Sequence, residues 1–219
     1  MESKILIIRH GITEGNKKKW FYGATDIGLS EEGIIELEEQ RDSGFYPDVP
    51  EDARFFTTGM KRTEETLGIL FGDVEHGRIT DMKEMNFGDY ECRSFDSLKD
   101  DEVFLEWGYD QTGEIKLPNA ESRNEFRERT IRGGKRLIDE HIASNTPMTV
   151  MICHGGVISG FMDHLFSDGR SMWDWMPEPG CGYEVFFTDG KPAKYKAIGR
   201  IGDNLQTMID EHESENGEK

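Results

Sequence analysis

Ile5-Leu6-Ile7-Ile8-Arg9-His10-Gly11 is the stretch that decides the fold. Its four consecutive aliphatic residues form the short apolar run that a fully buried strand needs. The run ends in a cation, an imidazole and a glycine. Open α/β sheets place their ligands beyond the carboxyl ends of their strands, so Arg9 and His10 stand where a ligand binds. Gly11 lets the backbone turn sharply and lets a ligand come close. Taken alone, the tripeptide reads as an ordinary turn; the rest of the chain supplies the context.

Outward from this strand, predicted as residues 4–9, strand-like and helix-like segments alternate. Residues 31–40 read as a helix capped by Ser30, with Leu29 before it and Ile34, Ile35 and Leu37 as its apolar side. Residues 53–58 read as a second strand, Lys61–Phe71 as a helix and residues 78–81 as a short strand. Residues 86–120, rich in glycine and acidic residues, read as an irregular excursion. The excursion is longer than a plain connection needs, which makes it a candidate lid or substrate-binding subdomain. Residues 121–144 pattern as a long amphipathic helix burying Phe126, Leu137 and Ile138. Met148–Cys153 is a strongly apolar strand, and residues 156–166 are its following helix. Residues 183–188 and 194–198 close the pattern as a hairpin about Asp189-Gly190. This alternation predicts the α/β class, with a mostly parallel sheet wrapped by helices. With no linker in sight, residues 1–209 read as one domain and residues 210–219 as an acidic, flexible tail without a function of its own.

Composition narrows the choices. Of 219 residues, 35% are hydrophobic and 32% charged, yet 13 Phe and 4 Trp supply bulk for a core. No apolar run reaches membrane-span length, and no secretory signal precedes Ile5. Cys92, Cys153 and Cys181 are odd in number and widely spaced, neither a zinc pattern nor a disulfide framework, so a cytoplasmic protein is expected. The net charge of -18 repels nucleic acid and anionic membranes. It also repels a phosphorylated substrate, unless a local cluster of arginines overrides it.

Such a cluster is in the sequence. Cys153-His154-Gly155-Gly156 ends a second strand in His-Gly, and parallel strands share one carboxyl edge, so the two imidazoles converge. The competing reading is that His154 merely caps the helix behind it. Arg62 falls in the first turn of the helix after the second strand, at the same edge. Two arginines with two histidines make a pocket for a dianionic oxyanion such as a phosphoryl group.

At this point the chain resembles the histidine phosphatase superfamily, in its phosphoglycerate mutase-like branch. The matching residues are Arg9-His10-Gly11-Ile12-Thr13 with Asn16, then Gly23, Asp26-Ile27-Gly28-Leu29-Ser30 and Gly33. Thr57-Thr58 with Arg62 and Thr66 follow, then Glu84 with Phe87-Gly88, Glu121-Ser122, Phe126 and His154-Gly155-Gly156. Ile12, Gly59, Ala120 and Cys153 depart from the family's usual residues without removing an expected catalytic group. The resemblance implies a three-layer α/β/α sandwich and a phosphohistidine intermediate. His10 is then the nucleophile, its tautomer fixed by a backbone carbonyl near Gly11. Arg9 and Arg62 bind the equatorial oxygens, a charged His154 completes the clamp, and the Asn16 amide donates to a phosphoryl oxygen. Gly155 belongs to the same substrate-binding set, and Glu84 is the candidate proton donor.

No metal or other cofactor is needed for this chemistry. A metal set built from Cys153, His154 and His164 is the weaker reading beside core and helix-surface roles. Trp20-Phe21-Tyr22 and Trp173 with Trp175 read equally as substrate mouth or as core and interface. Residues 86–120 hold only Arg93, Lys99 and Lys116 as cations against many carboxylates, a poor trap for a bisphosphate. Hydrolysis of a small phosphorylated metabolite is therefore favoured. The alternatives are mutase-type transfer and a catalytically silent phosphate-binding module. The expected partner is the small substrate, with neither nucleic acid nor membrane; a homodimer is compatible with the sequence. The leaving group is not legible in it.

Overall fold

The computed structural model describes residues 3–202, so the expected acidic tail lies outside the described residues. The chain opens with β1 (Ser3–Arg9), α1 (Glu14–Lys17), β2 (Trp20–Phe21) and α2 (Glu31–Asp42). It continues through β3 (Arg54–Thr57), α3 (Lys61–Phe71), β4 (His76–Arg78), β5 (Arg93–Ser94), α4 (Phe95–Leu98) and α5 (Glu102–Tyr109). Then come α6 (Arg123–Ser144), β6 (Met148–Cys153), α7 (Gly155–Phe166), β7 (Gly182–Thr188) and β8 (Lys191–Ile198).

Six strands form the central sheet in the order β4-β3-β6-β1-β7-β8. The first four run parallel, while β7 and β8 add an antiparallel edge. Successive side chains of a strand point to opposite faces. Ile5 and Ile7 therefore pack with Leu137 of α6 and Val157, Ile158 and Phe161 of α7. Leu6 and Ile8 face the other way, onto Leu37 of α2 and Leu67 and Leu70 of α3. Burial on both faces explains why β1 reads as a continuous apolar run rather than an alternating one. The result is an α/β fold with a mostly parallel sheet flanked by helices.

Register does the positioning. β1 and β6 pair with Arg9 opposite Cys153, and the His10 amide donates to the Cys153 carbonyl at 3.0 Å. His10 and His154 therefore leave the sheet side by side. β3 lies on the other flank of β6, so the first turn of α3, which carries Arg62, starts at the same edge.

Several expectations need correction. The short strand is residues 76–78 rather than 78–81, and residues 80–82 form a 3-10 turn instead. Gly77, a poor strand former, hides the strand from a pattern reading, and the close fit to Phe56 excludes a larger side chain there. Ile35 is more than half exposed, because it lies about 200° round the helix from buried Gly33 and Leu37. α6 begins at Arg123, since Ser122 accepts the Glu125 amide as part of a capping box. The hairpin's second strand starts at Lys191, directly after Asp189 and Gly190, both with positive φ as a tight turn requires.

The excursion of residues 86–120 is more ordered than its composition suggests. β5 pairs with β2, and Asp101 caps α5 by accepting the Phe104 amide at 3.0 Å. Tyr90, Leu98, Phe104 and Leu117 form a separate small core, against which Phe21, Phe87 and Trp107 pack. Among the described residues, no helix is long and apolar enough to cross a membrane.

Candidate active site

His10 is buried at the end of β1. Its Nδ1 lies 2.7 Å from the Gly11 carbonyl oxygen. A carbonyl only accepts, so Nδ1 carries the proton and Nε2 keeps its lone pair. Burial, then the Arg62 and Arg9 charges, hold the His10 pKa well below the ordinary imidazole value. The ring is thus neutral, with its tautomer set by the backbone and Nε2 able to act as a nucleophile. Gly11 in turn donates its amide to Thr66 Oγ1 at 3.1 Å, which locks the strand end onto α3.

His154 is fully buried, with its ring centroid 5.3 Å from that of His10. It occupies the position before α7, but its side chain makes no cap bond. Arg62 Nε donates to Nδ1 at 3.2 Å, so Nε2 bears the proton and donates to Thr58 Oγ1 at 3.0 Å. The expected charge on His154 is therefore corrected. Burial, reinforced by Arg62, His10 and Arg9, pushes its pKa well below the usual value, and the ring is neutral.

Arg62 is fully buried and stacks over the Tyr22 ring at 5.1 Å. Its terminal nitrogens donate to the Thr25 and Gly23 carbonyls, both at 3.0 Å. With Nε on His154, three of the five guanidinium N–H groups are committed, and two remain for a ligand. Arg9 donates to the Pro177 carbonyl at 2.8 Å, while its buried Nε has no partner among the described residues. A buried, unpartnered donor on a permanent cation is a place made for an anion. A Cβ at Gly155 would lie 3.2 Å from Arg9 Cζ, so the glycine leaves that guanidinium its room.

Asn16 Oδ1 accepts from the Thr13 amide, the Thr13 hydroxyl and the Tyr22 hydroxyl, each at 3.0 Å. That network orients the side chain and leaves its NH2 group as the donor end. Glu84 is held by two backbone amides. Its Oε2 accepts the Gly156 amide at 2.9 Å and its Oε1 the Met85 amide at 3.0 Å. Any Cβ at Gly156 would collide with Glu84 Oε1 at 2.7 Å.

The structure thus brings His10, Arg9, Arg62 and His154 together, with Gly155 against Arg9, Tyr22 linking Arg62 to Asn16, and Glu84 on Gly156. Other residues in this arrangement carried no usable signal in the sequence. Arg129 of α6 donates to the Asp81, Lys83 and Glu84 carbonyls and pairs with Glu121 at 2.5 Å. Glu121 also accepts the Asn86 amide, so this pair grips the backbone on both sides of Glu84. The aromatic triplet divides: Phe21 joins the small core of residues 86–120 and Tyr22 the site. Trp175 is fully buried in the main core. Cys153 is fully buried in the same core.

The family model described as histidine phosphatase superfamily (branch 1) matches residues 5–198. The chain belongs to this superfamily. It is 27% identical over 171 residues to a phosphoglycerate mutase of Schizosaccharomyces pombe, covering 74% of this chain and 78% of that one. It is 26% identical over 192 residues to an adenosylcobalamin/alpha-ribazole phosphatase of Salmonella typhimurium, covering 85% and 92%. Among solved structures it shares its fold with an alpha-ribazole phosphatase from Shigella flexneri, at TM-score 0.73, 23% identity and coverages of 92% and 96%. A phosphoglycerate mutase from Bacillus anthracis also shares the fold, at TM-score 0.72, 18% identity and coverages of 92% and 93%. Members with these names transfer phosphoryl groups, so phosphatase and mutase chemistry are the activities at issue for this histidine phosphatase homologue.

Proposed function

We propose that this protein is a metal-independent phosphomonoester hydrolase that works through a phosphohistidine on His10, acting on a small phosphorylated metabolite. The observation that carries the reading is the neutral, buried His10, its Nδ1 committed to the Gly11 carbonyl, set among two arginines with unspent donors. In the first step His10 Nε2 forms a bond to phosphorus as the P–O bond to the leaving group breaks. The Glu84 carboxyl gives its proton to the departing oxygen. Arg9, Arg62 and the Asn16 amide hold the equatorial oxygens as their charge redistributes. In the second step Glu84 takes a proton from water, whose oxygen attacks phosphorus and breaks the P–N bond.

One observation favours water over a second substrate as acceptor. Arg93 and Lys116, two of the three cations of residues 86–120, are already paired with Asp101 and Glu125, at 3.8 and 2.5 Å. The test is a panel of phosphomonoesters, including phosphoglycerates, ribazole phosphate and sugar phosphates, run with chelator present. Phosphate release, with an acid-labile and base-stable label on wild type that is absent from His10→Ala, is expected. Isomerised phosphoglycerate without phosphate release would make the protein a mutase. No label and no turnover would leave a phosphate-binding module.

A further inference from the structure

We propose that Glu91 is the positioning residue for Arg62, acting through the peptide groups of residues 23–25, and that it couples the lid to the oxyanion pocket. The inference rests on the reading of Arg62 as an oxyanion ligand. Glu91 lies in the lid, just after the 3-10 turn of residues 88–90. Its carboxylate accepts three successive backbone amides: Gly23 at 3.0 Å, Ala24 at 3.1 Å and Thr25 at 3.0 Å. The Thr25 hydroxyl adds a bond at 2.6 Å and the Phe87 amide another at 3.0 Å. Consecutive amides converging on one anion form a nest, and here the anion belongs to the chain itself.

The other side of the same loop faces Arg62. The Gly23 carbonyl and the Ala24 amide belong to one peptide group. That group accepts from Arg62 Nη2 at 3.0 Å and donates to Glu91 Oε1 at 3.1 Å. The Thr25 carbonyl holds Nη1 at 3.0 Å. Glu91 and Arg62 therefore form an ion pair relayed through a peptide, each charge polarising the group toward the other. Direct contact would have spent the guanidinium on a carboxylate; the relay fixes its plane and leaves two N–H groups for a substrate. The loop has little freedom to adjust. A Cβ on Gly23 would lie 1.7 Å from the Met85 carbonyl oxygen, so the loop is pressed against the segment that carries Glu84.

Orthovanadate, a phosphate-like oxyanion that needs no turnover, is the probe, with Kd measured by calorimetry. Glu91→Ala is expected to weaken vanadate by about tenfold or more, as loss of charge-assisted hydrogen bonds at a positioning site implies. Arg62→Lys is expected to weaken it at least as much, because an ammonium cannot span the two carbonyls. Adding Glu91→Ala to Arg62→Lys is expected to cost less than about twofold more, since both act on one arm. Wild-type affinity in Glu91→Ala, or a double variant equal to the product of the singles, overturns the proposal. So does a lowered Tm with unchanged vanadate affinity, the signature of a carboxylate that only braces the lid. If Glu91→Ala does not fold, Glu91→Gln decides, with at least about threefold weakening and the same non-additivity expected. A wild type that binds vanadate but forms no phosphoenzyme defeats the hydrolase reading and leaves this one standing. A wild type that binds no oxyanion defeats both.

Discussion

Each imidazole at the site has a separate assignment, and a single hydrogen bond makes it. The Gly11 carbonyl puts the proton of His10 on Nδ1; Arg62 puts the proton of His154 on Nε2. His10 can therefore attack, while His154 ties Arg62 to Thr58. Glu84 is the group whose role is most open to a single substitution. Glu84→Gln retains an acceptor for one backbone amide but has no proton to give. Phosphoryl transfer from a sugar or glycerol phosphate is expected to slow by about 10²-fold or more, the scale of general acid catalysis. An aryl phosphate, whose leaving group departs without a proton, is expected to lose far less, with label on His10 still forming. Single-turnover labelling with both substrate types measures the contrast. An equal loss for both would make Glu84 a positioning group and not the acid.

Among the elements, the excursion of residues 86–120 packs apart from the helices of the sandwich. Its small core of Tyr90, Leu98, Phe104 and Leu117 is distinct from the two clusters on the faces of the sheet. Phe104 stands at its centre, edge-on to Phe21 at 5.1 Å and near Trp107 at 5.6 Å. Phe104→Ala removes about 3–5 kcal/mol of packing from a unit this small, enough to open it locally. Amides of residues 90–117 are expected to exchange faster in hydrogen exchange, while those of β6 keep wild-type protection. Equal loss of protection in both would mean that the excursion and the sheet unfold as one unit.

At the scale of the whole molecule, three histidines are held neutral in the folded state. His10 and His154 lie at the site, and His141, on the buried face of α6, lies between Ser3 and Thr149 at 2.9 Å each. Burial lowers the pKa of all three. In the unfolded chain they titrate near the ordinary value of about 6.5. Below that pH the unfolded state binds protons that the native state refuses, so stability is complete above about pH 6.5 and falls as pH drops. Each group contributes a slope of at most about 1.4 kcal/mol per pH unit. Carboxylates stabilised by partners, such as Asp101 and Glu125, act in a lower window, as pH falls through their own lowered pKa values. Urea unfolding at pH 7.5, 6.5 and 5.5 is expected to give a midpoint that falls with pH. A midpoint that holds steady across that range would contradict neutral burial of these rings.

The sheet and the polar ends of its strands are legible in the order of residues alone. Ile5 to Ile8 and Met148–Cys153 are apolar throughout because both faces of their strands are covered, and that pattern is written locally. Helix caps such as Ser30 are equally local, because a cap needs only a hydroxyl three residues before the amide it accepts. Arg9, His10, Arg62, Glu84 and His154 were legible as residue types that a phosphoryl group requires, at strand ends and in motifs of known order. Tertiary structure alone decided how those side chains spend their hydrogen bonds. Which nitrogen of His154 carries the proton depends on which one Arg62 reaches, across 92 residues of chain. Glu91 is one acid among many in residues 86–120 until the amides of residues 23–25 converge on it, and Arg129 is one charge among several on α6 until three carbonyls meet it. Strand periodicity and caps arise from neighbours in sequence, whereas protonation and orientation in a buried site arise from neighbours in space.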